Sequence, residues 1–202
     1  MNITSKLIVA ASLLSSSAFA GEWTVDPSHT STTFAVKHMM VSTTKGAFDK
    51  VSGTVVGDDA DFTKAQVNVT IDVNSINTRE AKRDAHLKSA DFFDAAKFPT
   101  ITFKSTKIVA KGGGKYDLTG DLTMHGVTKP VTLSVESLTA PTPTPFNTTV
   151  RGVNAIGKVS RKDFGIGSAN PAVGDEVKLE IDAELVAKAA APAAAPAPAA
   201  KK

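Results

Sequence analysis

Strict two-residue alternation limits this chain more than any other feature. Val177, Leu179, Ile181, Ala183 and Leu185 alternate with Lys178, Glu180, Asp182 and Glu184. That gives one apolar face and one fully charged face, the pattern of a half-buried strand. The same period runs through Val67, Val69, Ile71 and Val73 against Gln66, Asn68, Thr70 and Asp72. It recurs in Tyr116, Leu118, Leu122 and Met124, and again in Val131, Leu133 and Val135. Ile101 and Phe103 open another such run, and Phe34 and Val36 lie in one more. Gly57-Asp58-Asp59, Gly112-Gly113-Gly114 and the stretch from Gly126 to Lys129-Pro130 separate the runs as hairpin connections.

The alternation predicts strands near 22–26, 29–39, 45–57, 65–74, 99–110, 115–125, 128–138 and 146–159, with a last at 175–187. Thr78 to Ala96 breaks the pattern. It is rich in charge, Ala and Leu and reads as a helix capped by Asn77 or Thr78, with Ala81, Leu87 and Ala90 inside and Pro99 beyond its end. One helix cannot cover the apolar face of about eight strands. Closing the sheet on itself buries that face and removes its edges. The expected fold is therefore all-β: an eight-stranded antiparallel β-barrel with one short helical insertion. A barrel of this size is either filled by side chains or holds one small ligand, and periodicity leaves that choice open.

The two ends differ from the middle. Lys6, the apolar run Leu7–Leu14 and Ala18-Phe19-Ala20 read as a signal peptide spanning 1–20, cut after Ala20. The apolar run is too short to span a bilayer, and no second one follows, so no stable membrane insertion is expected. Residues 188–202 are almost wholly Ala, Pro and Lys and read as a disordered tail. Residues 21–187 are left as one domain. Thr139 to Pro145 is a Pro-rich exposed loop within it.

Of the 23 basic residues, Lys6, Lys188, Lys201 and Lys202 lie in the ends, leaving 19 against 20 acidic ones, a net of −1. That is no footprint for a nucleic-acid partner. The chain has no Cys, so the fold relies on its core, and thiol catalysis, iron–sulfur clusters and Cys-ligated zinc are excluded. His29, His38, His86 and His125 lack metal-ligand spacing, so no metal or cofactor is expected. There is no G-x-S-x-G elbow, H-E-x-x-H, P-loop or G-x-G-x-x-G following a strand.

Two polar groupings remain. Arg79, Arg83 and His86 share one helical face, suited either to an anionic head group or to ordinary surface pairs with Asp84. Arg161-Lys162-Asp163-Phe164-Gly165-Ile166-Gly167 is either a close backbone approach to a ligand or a simple turn.

Seven motifs then occur in order: W-T-V-D-P-S-H-T at 23–30, F-A-V-K-H at 34–38, G-x-F at 46–48 and R-D-A-H-L-K-S-A-D-F-F-D at 83–94. They continue with F-P-T-I-T-F-K-S at 98–105, L-T-G-D-L-T-M-H-G-V-T-K-P-V at 118–131 and R-K-D-F-G-I at 161–166. In this the chain resembles the YceI-like family of bacterial periplasmic lipid-binding proteins. The resemblance implies a lipocalin-like barrel around an elongated apolar cavity. It implies a periplasmic location, a long isoprenoid lipid or other amphiphile as ligand, and no enzyme activity. Carried over residue by residue, Phe34, Val36, Phe48, Leu87, Phe92, Phe93, Phe98, Phe103, Leu122, Met124 and Ile166 would wall the cavity. His38, Arg83, His86 and Arg161 would sit near its mouth. Two other readings stand beside this one: an enzyme acting on an amphiphile through Arg83, Asp84 and His86, and a filled-core interaction module. A homodimer stays open.

Overall fold

The computed structural model describes residues 21–167 and 170–188. The expected signal peptide and the tail beyond Lys188 lie outside the described residues. The strands are β1 (Gly21–His38), β2 (Ser42–Phe48), β3 (Val51–Asp58), β4 (Asp61–Asp72), β5 (Ile76–Asn77), β6 (Thr100–Gly112), β7 (Lys115–Met124), β8 (Val127–Leu138), β9 (Thr142–Pro143), β10 (Thr149–Ser160) and β11 (Val173–Ala187). Eight of them form the closed antiparallel ring β1-β3-β4-β6-β7-β8-β10-β11, sealed where β11 returns to β1. The sealing register sets Trp23 opposite Ala187, Phe34 opposite Leu179 and Val36 opposite Val177. Inward apolar residues therefore meet at equal heights on both sides of the seam.

The two segments expected at 22–26 and 29–39 are one strand, β1, interrupted by a bulge between Asp26 and Ser31. The extra residues leave the ladder, and Asp26 organises them. It accepts from Ser28 N–H at 2.8 Å and meets His29 Nδ1 at 2.9 Å. The hydrogen bond to His29 holds the Asp26 carboxyl below its usual range, and Asp26 in turn raises the His29 imidazole. The strand expected at 45–57 breaks at Asp49–Lys50, whose N–H groups turn aside to Ser75 O and Ser75 Oγ. So β1 pairs with β3 through Gly21–Thr24 and with β2 through Thr33–His38.

The helix is shorter than expected: α1 covers only Ala81–Lys88. Neither Asn77 nor Thr78 caps it; the Glu80 carboxylate does, accepting from Lys82 N–H at 3.1 Å. Ser89 ends it in an extended conformation, its hydroxyl donating to His86 O at 2.7 Å. Asp94 then turns the chain with φ 46°. The turns bury Phe92 and Ala95 at 7% and 6% exposure. Ala81 and Ala90 are exposed, and Leu87 is half-buried. The Pro-rich loop carries a two-residue strand, β9, paired with Thr149 and Val150.

One end of the barrel is filled. Trp23 is buried, its indole N–H donating to Asp59 Oδ1 at 2.7 Å. The Arg151 guanidinium lies 5.2 Å from the centre of the Trp23 ring. Burial lowers the Arg151 pKa, with Asp59 opposing that shift. Phe62 and Tyr116 pack edge to face at 5.1 Å, with Val55, Val67, Ile108, Leu118, Val135 and Leu185 around them.

The other end is closed by segments lying outside the ladder. These are α1, the turns after it, and the loop leaving β10. That loop is wound around Arg161, which is only 4% exposed. Its Nε donates to Gly174 O at 2.9 Å. Nη1 donates to Ile166 O at 2.9 Å and to Gly167 O. Nη2 donates to Asn170 O at 2.9 Å and Val173 O at 2.7 Å. A guanidinium has five N–H donors, and each finds a carbonyl here. The expected mouth residue Arg161 is thus a buried strut, with no donor left for a ligand.

Two outcomes follow. Arg161→Lys, with three donors for five acceptors, should cost about 3 kcal/mol in denaturant unfolding, by stranding buried carbonyls. At the bulge, Asp26→Asn should lower the His29 pKa, read by NMR titration. The signs set the window: the raised His29 contributes stability that is lost as pH rises through its folded value, and the lowered Asp26 contributes stability that is lost as pH falls. The pair therefore stabilises between about pH 4 and 6.5.

Candidate functional site

An apolar cavity of about 170 Å³ occupies the end opposite the filled one. Its wall is built strand by strand from inward positions. Phe34 and Val36 come from β1, Ile71 from β4, Ile101 from β6, Leu122 and Met124 from β7, Val159 from β10, and Val177, Leu179 and Ile181 from β11. The insertion supplies the lid: Leu87 from α1, with Phe92 and Phe93 from the turns after it. Ile166 and Val173 close the side held by Arg161. Phe34, Phe48 and Phe93 form a chain of rings, with centroids 5.6 and 5.8 Å apart.

The polar groups on the lining are already engaged. Thr32 Oγ1 donates to Phe48 O at 2.9 Å, Thr33 Oγ1 to Glu180 O at 3.3 Å, and Arg161 to its five carbonyls. Among the described residues no buried side-chain nitrogen or oxygen lacks a partner. The site offers shape and apolar contact, with no acid, base or nucleophile turned inward.

Nine of the eleven residues expected to wall the cavity line it: Phe34, Val36, Phe48, Leu87, Phe92, Phe93, Leu122, Met124 and Ile166. Phe98 and Phe103 do not, for a shared reason. Each ring lies against a glycine in a neighbouring segment. A Cβ on Gly120 would sit 2.5 Å from the Phe103 ring, and one on Gly126 would sit 2.7 Å from that of Phe98. Phe98 also packs on His125 at 4.9 Å. Strand alternation taken alone carries no information about such ring placements.

The polar residues expected near the mouth are dispersed. Arg79 precedes α1 in a left-handed conformation, so no stripe forms with Arg83 and His86. Arg83 donates to Thr78 Oγ1 at 2.7 Å and Thr78 O at 2.8 Å, while Asp84 accepts from Thr78 N–H at 2.8 Å. These bonds staple α1 to the chain before it. His86 stands edge-on to Phe92 at 4.9 Å and 3.4 Å from an Asp91 oxygen. His38 is exposed at the end of β1. None of His38, Arg83 and His86 touches the cavity. The lining also includes Thr32, Thr33, Val159 and Val173, which motif reading passed over. The register of β11 on β1 sets Val173 opposite His38, just beyond the Phe34–Val36 segment.

Among the described residues, Asp26, His29 and Glu184 place ligand atoms within 4.8 Å of one another. Asp26 and His29 sit on the bulge of β1 with Glu184 opposite on β11, none of them lining the cavity, and His29 is 67% exposed. No helix among the described residues is long and apolar enough to cross a membrane.

A family model described as the YceI-like domain matches residues 23–185. A UPF0312 protein of Vibrio parahaemolyticus is 46% identical over 121 residues, which cover 59% of this chain and 64% of that protein. The match thus spans less than two thirds of that relative's length. Protein YceI of Salmonella newport is 41% identical over 175 residues, covering 85% of this chain and 91% of the relative. Among solved structures, Burkholderia cenocepacia BcnA superposes with a TM-score of 0.71 at 29% identity, covering 81% of this chain and 99% of that one. A polyisoprenoid-binding domain from Saccharophagus degradans superposes with a TM-score of 0.62 at 17% identity, covering 82% and 98%. With the domain match running from the first barrel strand to the last, this chain belongs to the YceI-like family.

Proposed function

We propose that this protein is an exported, periplasmic binding protein that holds part of an isoprenoid-type lipid, or a similar amphiphile, in the cavity, and that it catalyses nothing. The observation carrying the reading is the division of one barrel into a filled end and a hollow end lined by apolar side chains. A filled-core module has no use for the hollow. An enzyme acting on an amphiphile would turn a polar pair inward, yet Arg83 and Asp84 spend their bonds on Thr78. The polyisoprenoid-binding domain of similar fold supports the ligand class. Ala18-Phe19-Ala20 supports export, with cleavage after Ala20.

Size refines the reading. A dry cavity of about 150 Å³ admits a benzene-sized guest. A void of about 170 Å³ therefore takes only a short piece of a prenyl chain as it stands. A longer segment enters by swinging the Phe34, Phe48 and Phe93 rings, or remains outside the rim. Each methylene transferred contributes about 0.8 kcal/mol, so affinity grows with the buried length and needs no polar anchor.

Mass spectrometry of solvent extracts from the purified protein should find a co-purifying prenyl lipid. Protein that is lipid-free and takes up no added prenyl lipid sinks the proposal. Leu122→Trp, in the hollow, should abolish uptake with little loss of stability. Leu118→Trp, in the filled end, should cost about 1–3 kcal/mol in unfolding experiments by overpacking.

A further inference from the structure

The turn joining β1 to β2 is built against two ordinary preferences at once. It runs His38-Met39-Met40-Val41, closed by Val41 N–H donating to His38 O at 3.1 Å. Met39 and Met40 have φ of 49° and 59°. A hairpin turn with both central residues at positive φ favours Asn-Gly, because a bulky side chain is strained there. Met39, Met40 and Val41 are also 64%, 77% and 87% exposed. Single exposed apolar residues are unremarkable in a folded protein, whereas three in a row at one projecting tip mark a contact surface. Asn-Gly here would relieve the strain and the exposure together, so the methionines serve something outside the fold.

Position and charge say what. The tip stands at the hollow end, where His38 pairs with Val173 and Met39 N–H donates to Ala172 O. Val36, two residues before His38, and Val173 both line the cavity. From Ser28 to Phe48 the chain has no carboxylate, but it carries Lys37 next to His38 and Lys45 on β2 opposite Ala35. The nearest acids lie across the seam on β11: Asp175 accepts from Ser160 Oγ and Lys162 N–H, and Glu176 pairs with Lys158. An apolar point whose own hairpin, from Ser28 to Phe48, carries lysines and no carboxylate fits the acyl boundary of a bilayer with anionic headgroups above it.

We propose that Met39, Met40 and Val41 form a membrane-docking tip that sets the hollow end of the barrel against an anionic phospholipid bilayer. The purpose of this contact, passing an apolar chain between bilayer and cavity, rests on the lipid-binding reading; the docking itself does not. Docking is shallow and reversible, since three side chains are far too few to anchor a protein permanently.

The absence of Cys allows one label at a chosen place. The barrel closes within residues 21–188, so the chain beginning at Gly21 is used. Val41→Cys carries a polarity-sensitive fluorophore, and Ala60→Cys, in the turn between β3 and β4 at the filled end, carries the same fluorophore as the control. Vesicles of phosphatidylcholine with about 30% phosphatidylglycerol supply the anionic surface. The Val41→Cys label should shift to the blue on these vesicles and lose the shift with added salt, while the Ala60→Cys label stays unchanged. Met39→Asn combined with Met40→Gly should reduce vesicle co-sedimentation by about tenfold while keeping or raising the melting temperature. Equal responses from the two labels, no response from either, or unchanged sedimentation of the double variant overturns the proposal. Prenyl lipid extracted from the same double variant separates the two readings. Lipid retained while wild-type docking fails removes only the tip, and docking without any lipid uptake removes only the cavity's assigned ligand.

Discussion

Everything in this molecule depends on the seam where β11 returns to β1. Alternation makes each strand apolar on one face, and a sheet with one apolar face is unstable until that face is covered. Among the described residues there is one α-helix, of eight residues, which buries none of them, so the cover has to come from the sheet itself. Closure at the register Phe34–Leu179 and Val36–Val177 supplies it, and it also removes the two edges an open sheet would present to other chains. The three-residue excess of β1 over β11 at the Asp26–Ser31 bulge belongs to the same constraint. It lets one long strand serve β3 at one end and β2 at the other while keeping its apolar side chains inward.

The second organising interaction is the guanidinium of Arg161. A loop that leaves a strand and returns to the ring exposes carbonyls that no ladder satisfies. Five of them converge on one side chain, and this holds Ile166 and Val173 against the hollow. A residue expected to greet a charged head group instead builds the wall. Arg83 does the same on the other side through Thr78. Both arginines therefore act on the cavity through backbone, and neither touches it with free charge.

How much of this was legible in the sequence follows from the kind of physics involved. Strand number, closure and the inward set follow from period two, a property of single residues and their neighbours. Most of the cavity wall follows as well, because Phe34, Val36, Leu122 and Met124 sit on alternating strands. Phe98 and Phe103 illustrate what does not. Their rings are drawn aside by the room above Gly126 and Gly120, a contact between segments that pattern cannot express. Helix length was overestimated for a related reason. Residues 89–96 have helical composition, but the chain turns back on the end of α1, with Phe93 N–H on Leu87 O, Ala95 N–H on Lys88 O and Asp94 left-handed, and tertiary placement outweighs propensity. Whether the interior is full was undecidable from alternation, since the same apolar residues fill one half and line a void in the other.

That division has a consequence for how the two halves breathe. The filled end is knit by ring-wide ladders and by the Trp23–Asp59–Arg151 cluster, whereas turns and a short helix cover the hollow end. Segments with few buried apolar contacts open at free energies well below that of global unfolding. Helix α1, which buries none of its own residues, can therefore loosen as a local unit while the Arg161-held loop and the ring stay intact. Guest exchange then becomes a matter of lid fluctuation, with the barrel itself as the fixed frame.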